Sequence, residues 1–208
     1  MTELEELLRE VLVHAPNAPE PMVIRYLREA AQELCRRTLV WRASDVIRVV
    51  SPECEGILSI QDAQIHKVET AILNGRPLEA VTVAKMDELE PGWGRRYGND
   101  QAQARWAVQT MPNTITVVPR ETGDLDVRMV LLPSRDALTV PDFLADQYGT
   151  AIGKGAAARI LTINDDEFAN PPLGAALAQE WRMLLDELSF QAQRTQLRTK
   201  PRTRPNFF

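Results

Sequence analysis

The chain has 208 residues, 44% hydrophobic and 25% charged, a composition typical of a soluble globular protein that buries its own core. No apolar run approaches the roughly 20 residues of a membrane span, and the acidic start predicts no secretory signal, so synthesis in the cytoplasm is expected. The net charge of −5 is uneven, because five basic residues and no acid follow Glu187, which leaves −10 for the rest. The acidic body, residues 1–187, is not typical of a nucleic-acid-binding protein. The basic tail after Glu187 indicates an arm that interacts with another molecule.

Two amphipathic helices are predicted at the start of the chain. Residues 3–13 present one apolar face, and the proline-rich segment 16–21 ends that helix. A second helix is predicted for residues 20–38, where apolar residues recur at the three-and-four spacing of one buried stripe. These residues are Val23, Leu27, Ala30, Ala31, Leu34 and Cys35.

A β-rich region follows, because the hydrophobic pattern changes to that of strands. Strands are predicted at residues 46–50, 56–60, 65–73, 76–83, 104–109, 114–119 and 125–133. Asn74 and Gly75 predict a hairpin between two of them, because a type I′ turn needs two residues that tolerate positive φ. Residues 84–91 are expected to form one or two helical turns, and residues 92–100 a loop.

Helical periodicity returns after Pro141. One helix is predicted for residues 142–163, with glycines at three positions that weaken it locally and allow another helix to approach closely. These are Gly149, Gly153 and Gly155. The last helix is predicted to begin at Pro171, with Asn170 as its N-cap, and to fade near Arg194.

Together these elements predict an α+β fold: a helical bundle built from both terminal regions, with an inserted antiparallel β domain and an extended C-terminal arm. The helical bundle domain is assigned to residues 1–44 and 136–196, and the inserted β domain to residues 45–135. Two prolines and the loss of periodicity predict the arm at residues 197–208.

No motif for catalysis, metal binding or cofactor binding has the required spacing. The run at 149–157 resembles a phosphate loop, but it is one residue too short before the Gly-Lys pair, and Gly155 replaces the required Ser or Thr. The acidic cluster at 165–167 lacks the pattern of a calcium loop, and two histidines make no triad. Cys35 lies on an apolar stripe and is predicted to be a buried, reduced thiol. We therefore expect no catalytic residue, no metal and no cofactor.

Two segments carry residues suited to contacts with other proteins. The loop at 92–100 contains residue types that anchor interfaces, and the alternative, that its tryptophan folds back onto the β domain, is equally favoured. The loop residues are Trp93, Arg95, Arg96 and Tyr97. Residues 198–208 of the tail combine four basic residues with a terminal pair of phenylalanines. This predicts a docking arm, because apolar groups exposed on an arm usually bind a partner. The arm residues are Arg198, Lys200, Arg202, Arg204, Phe207 and Phe208.

Four stretches taken together resemble the head-to-tail adaptor (connector) proteins of tailed bacteriophages, including the tail tubular protein A type. They are residues 15–42, the hairpin at 68–81, residues 127–161 and the last helix at 171–188. The resemblance covers nearly the whole chain. It departs from the family where stronger helix formers are expected, at Gly149, Thr150 and Gly153.

The resemblance implies a non-enzymatic structural protein of the virion neck. It implies a homo-oligomeric ring, commonly of about twelve subunits, beneath the portal protein. The C-terminal arm would reach the portal, and the lower face would receive the next neck, stopper or tail tube (nozzle) protein. DNA would pass through the lumen without sequence-specific binding, and no membrane would be involved.

Two alternatives stay open. One is another virion component of the neck, such as a tail-completion (stopper) protein, which would bind an adaptor rather than the portal. The other is a nucleic-acid-binding module that uses the basic tail, whose affinity would fall steeply with salt.

Overall fold

The computed structural model describes residues 1–95, 103–163 and 167–196. In these ranges the α-helices are α1 (Leu8–Leu12), α2 (Glu20–Thr38), α3 (Val83–Leu89), α4 (Asp142–Ile160) and α5 (Pro171–Gln196), and 3₁₀ turns lie at Leu4–Leu7 and Trp93–Arg95. The strands are β1 (Thr2–Glu3), β2 (Arg42–Val49), β3 (Gly56–Ile57), β4 (Ala63–Leu73), β5 (Arg76–Val81), β6 (Trp106–Met111), β7 (Thr114–Val118), β8 (Gly123–Pro133) and β9 (Thr139–Val140). The predicted mixed α+β class is confirmed.

The ends of the long helices follow from local chemistry. α2 has a proline in its first turn and stops at Leu39, whose left-handed φ of 53° takes the chain out of the helix. α5 begins as predicted, because the Oδ1 atom of Asn170 accepts a hydrogen bond from the Leu173 N–H at 3.3 Å.

The prediction of one helix over residues 3–13 is partly wrong. Thr2 and Glu3 form β1, which pairs antiparallel with β9, and the Leu4 N–H donates to the Leu138 carbonyl at 2.9 Å. A 3₁₀ turn follows, which places the buried side chains of Leu4 and Leu7 in line. Pairing with a distant segment therefore overrides the helical pattern until α1 begins.

The glycines of α4 mark close contacts between helices, as the sequence predicts. A Cβ atom on Gly153 would overlap Glu10 of α1, and one on Gly155 would lie 2.8 Å from Cδ2 of Trp181 on α5. α4 nevertheless runs unbroken from Asp142 to Ile160. The small residues thus allow α1 and the Trp181 ring to approach α4 closely.

Seven strands form one curved sheet in the order β2-β8-β4-β5-β6-β7-β3. The predicted hairpin is confirmed, because Asn74 and Gly75 join β4 to β5 with φ values of 50° and 80°. The predicted antiparallel arrangement is wrong at one place, since β5 and β6 pair in parallel. Parallel neighbours need a long crossover, and the connection that contains α3 supplies it.

The two ends of the sheet approach each other and nearly close it. A Cβ atom on Gly56 of β3 would lie 2.9 Å from Cγ2 of Ile47 on β2. The Oδ2 atom of Asp45 on β2 accepts hydrogen bonds from the backbone N–H and the hydroxyl of Ser59, at 3.0 and 2.8 Å. One carboxylate therefore links the edge strand β2 to the segment that follows β3.

One hydrophobic core joins the helices to the inner face of the sheet. It runs from Leu27 and Leu34 of α2 and Ile152 of α4 to Leu125 and Met129 of β8. A smaller cluster packs α3 against the outer face of β6 and β7. The division into a helical bundle domain and an inserted β domain stays a prediction.

Candidate partner-binding surfaces

Trp93, a predicted contact residue, lies folded against its own sheet. Its side chain is 8% exposed and packs with Met86, Val108 and Val118. Its Nε1–H donates a hydrogen bond to Oδ1 of Asp87 at 2.8 Å. The structure thus corresponds to the alternative in which this tryptophan folds back.

The rest of that loop lies beyond what the structure describes. Arg96 and Tyr97 are outside the described residues, as is the side chain of Arg95. The contact of residues 92–100 with another chain stays a prediction, and Trp93 would contribute to it only by leaving its cluster.

The predicted docking arm also lies outside the described residues. α5 extends to Gln196, two residues past the predicted fading at Arg194. Arg198, Lys200, Arg202, Arg204, Phe207 and Phe208 all follow that point, so their role stays a prediction.

Several apolar residues that are exposed outside the C-terminal arm were not predicted from the sequence. Met183, 65% exposed, and Phe190 lie seven residues apart on the outward face of α5. Ile57 and Met111, 67% and 61% exposed, are both register partners of Thr114 on β7. The seven-residue spacing of Met183 and Phe190 could have predicted from the sequence that they share one helix face. The pairing of Ile57 and Met111 with the same residue could not have been predicted, because it depends on strand register.

A groove of about 280 Å³ runs between α4 and α5, with Ala151, Trp181 and Leu184 among its lining residues. Lys154 and Glu180 close its rim with an ion pair at 2.8 Å. The hydrogen bond and charge of Lys154 lower the pKa of Glu180. Lys154, which the sequence places in a defective phosphate-loop pattern, therefore serves as a link between two helices.

Residues with reactive potential occupy ordinary structural positions. Cys35 is a buried free thiol whose pKa burial raises to about 12, as its apolar stripe predicts. Cys54 is free and exposed. Within the described ranges, no three His, Cys, Asp or Glu side chains form a group that could hold a metal ion. No helix in the same ranges is long and apolar enough to cross a membrane.

Comparison with known proteins places this architecture in a family. No curated protein matches the chain. The family model described as SU10 adaptor protein matches residues 2–205, which is almost the full length. The match spans the helices at both ends and the whole sheet, so it does not depend on one local motif. The chain therefore belongs to the SU10 adaptor protein family.

Proposed function

We propose that this protein forms a ring between the portal protein and the next component of the neck or tail in a tailed bacteriophage. The family match over residues 2–205 carries the proposal, because the family suggests an adaptor-type structural protein of the virion. In this proposal the ring contains about twelve copies and sits in the virion neck. The relation to the tail tubular protein A type, and a helical bundle formed by residues 1–44 and 136–196, belong to the same proposal.

A ring of identical subunits needs two different surfaces that fit each other, since a head-to-tail contact must close by rotation. Among the exposed apolar side chains of the body are two pairs in separate elements, Met183 and Phe190 on α5, and Ile57 and Met111 at the end of the sheet. Such residues favour association with other proteins. They are candidates for the two sides of the subunit contact.

The charge distribution suits separate roles for the body and the tail. Residues up to Glu187 carry −10, while the chain beyond it carries +5. An acidic wall repels the DNA backbone, so DNA would slide through the lumen without sequence-specific binding. The basic arm with Phe207 and Phe208 would dock on the portal, with the whole ring engaging many weak arms at once.

In this proposal the protein has no catalytic role. Lys154 is held by Glu180 in an ion pair, and Cys35 is a buried thiol with a high pKa. Neither is poised as a nucleophile or a phosphate ligand. A specific hydrolase activity that is lost on changing Lys154 or Asp165 would contradict this part of the proposal.

Reconstitution tests the position of the protein in the assembly pathway. Portal-bearing heads made without this protein should bind the purified chain and then accept tails. If the chain binds only to heads that already carry another adaptor, it is a stopper and the portal contact is wrong. If it binds neither kind of head, the neck role is wrong. Heads that lack the portal serve as the control and should not bind.

A further inference from the structure

Strand β4 loses one of its neighbours partway along its length. Its last three residues, 71–73, pair with β5, and β8 pairs along the opposite edge. β5 then diverges and pairs in parallel with β6. In the part of the chain that the structure describes, no strand pairs with the β5-side edge of β4 between residues 66 and 70.

The divergence leaves a cleft of about 330 Å³ between β4 and the β5–β6 pair. Val68, Val81 and Val83 contribute apolar side chains to it. The β6–β7 turn closes one end, because the Ile65 N–H donates to the Pro112 carbonyl at 3.0 Å and Gln109 donates to the Ile65 carbonyl at 3.0 Å. The edge from 66 to 70 therefore lies beside an apolar cleft that stays open.

The wall of the cleft is positively charged. Lys67 is exposed on β4, and among the described residues that line the cleft there is no Asp or Glu. Burial, and then the charges of Arg36 and Lys67, lower the pKa of the His66 imidazole, which lines the cleft beside Lys67. A negatively charged segment would be attracted to this wall.

We propose that this cleft binds an extended acidic segment of a partner virion protein, which adds as a strand to the free edge of β4. Backbone hydrogen bonds along residues 66–70 would hold the segment, and apolar side chains at alternate positions would enter the cleft. The chain's own C-terminal arm is a poor occupant, because it is basic like the cleft wall. The inference rests on the proposed function, since the partner is sought in the assembled particle.

Hydrogen exchange tests the proposal on the full chain in three states: the free subunit, the purified ring and the assembled particle. Amides between His66 and Thr70 should exchange at least about tenfold more slowly in the particle than in the ring, because strand addition occupies donors on that edge. Lys67→Glu should weaken retention in the particle on the order of tenfold, by placing like charges together. Arg135→Glu makes the same charge change in the exposed connection between β8 and β9, away from the proposed subunit contacts, and should leave protection at 66–70 unchanged.

Each other result overturns the proposal. Equal exchange at 66–70 in the ring and the particle, with little protection, would mean that the edge stays free. Protection already complete in the purified ring would mean that a second copy covers the cleft. If Lys67→Glu leaves the protection of the amides at 66–70 unchanged, the partner segment is not acidic. If the chain is absent from the particle, the proposed function fails, a result distinct from an exposed edge in a particle that contains the chain.

Discussion

At the scale of single residues, Glu33 on α2 links the two C-terminal helices. Its Oε2 atom accepts hydrogen bonds from Arg159 of α4 at 2.6 Å and from the indole N–H of Trp181 on α5 at 3.0 Å. Glu29, one turn earlier, reaches Arg159 only at 3.6 Å. The two glutamates have similar exposure, so they form a matched pair for mutation.

We expect Glu33→Ala to lower the free energy of unfolding by about 1–3 kcal/mol, because it leaves the partly buried Trp181 N–H without its acceptor. Glu29→Ala should cost about 0–1 kcal/mol, as for an exposed ion pair. Urea denaturation of both variants measures the difference. Equal losses would contradict the role assigned to Glu33.

Asp62 joins the β3–β4 connection to β9. Its Oδ2 atom accepts hydrogen bonds from the Thr139 hydroxyl, the Thr139 N–H and the Leu138 N–H, at 2.7, 2.9 and 3.2 Å. Burial alone would raise the pKa of Asp62, but these hydrogen bonds and the charge of Arg28 lower it overall. The ionised carboxylate therefore stabilises the fold above its unfolded pKa of about 3.9, and this contribution is lost as the pH falls through the folded pKa.

Asp62→Asn should therefore lower the free energy of unfolding by its full amount near pH 6, and by progressively smaller amounts below about pH 4. Asparagine is a fair control, because it also tolerates the positive φ of 55° at this position and does not titrate. Urea midpoints between pH 3 and pH 6 give the comparison. A gap between the two proteins that is constant across this range would show that the ionised carboxylate has no special role.

At the scale of elements, glycine-to-alanine variants of α4 distinguish the effect of close helix packing on stability from the effect of helix propensity. Gly153→Ala gains about 1 kcal/mol of helix propensity, but its Cβ would overlap Glu10, at a cost of about 1–3 kcal/mol. In Gly149→Ala the new atom would lie 3.0 Å from Cδ2 of Leu7, the end of a movable side chain. We expect Gly153→Ala to be the less stable variant in thermal unfolding. The reverse order would contradict the close approach of α1.

The sequence predicted the elements whose signals are local. α2 follows its apolar stripe, the Asn74-Gly75 turn follows from backbone preference, and α5 starts at its Asn170 cap. The parallel pairing of β5 with β6 was missed, because strand order depends on contacts distant in sequence. The pairing of Thr2 with Val140 was missed for the same reason.

The candidate site was less predictable than the fold. The composition of the loop at 92–100 suited either a partner contact or self-packing, and only the fold places Trp93 beside Met86. The cleft beside Lys67 had no sequence signal, because it arises where β4 and β5 diverge. A surface formed by two strands cannot be predicted from the sequence until the register between the strands is known.

At the scale of the whole molecule, the arm should be separable from the body. Deleting residues 198–208 should leave the urea midpoint unchanged, because the core of the described part of the chain reaches Leu188, ten residues before the deletion. The same deletion should block attachment to portal-bearing heads. A variant with Phe207 and Phe208 changed to Ala keeps all the positive charge and separates apolar from electrostatic contributions. Normal attachment after the deletion would exclude the arm as the dock.

Electron cryo-microscopy of the virion neck would show directly where this protein lies in the particle. We expect a closed ring of about twelve copies in direct contact with the portal, with an open lumen along the DNA path. The α5 faces and the sheet ends should lie at contacts between chains. A ring separated from the portal by another protein, or a neck that lacks this chain, would contradict the proposed role.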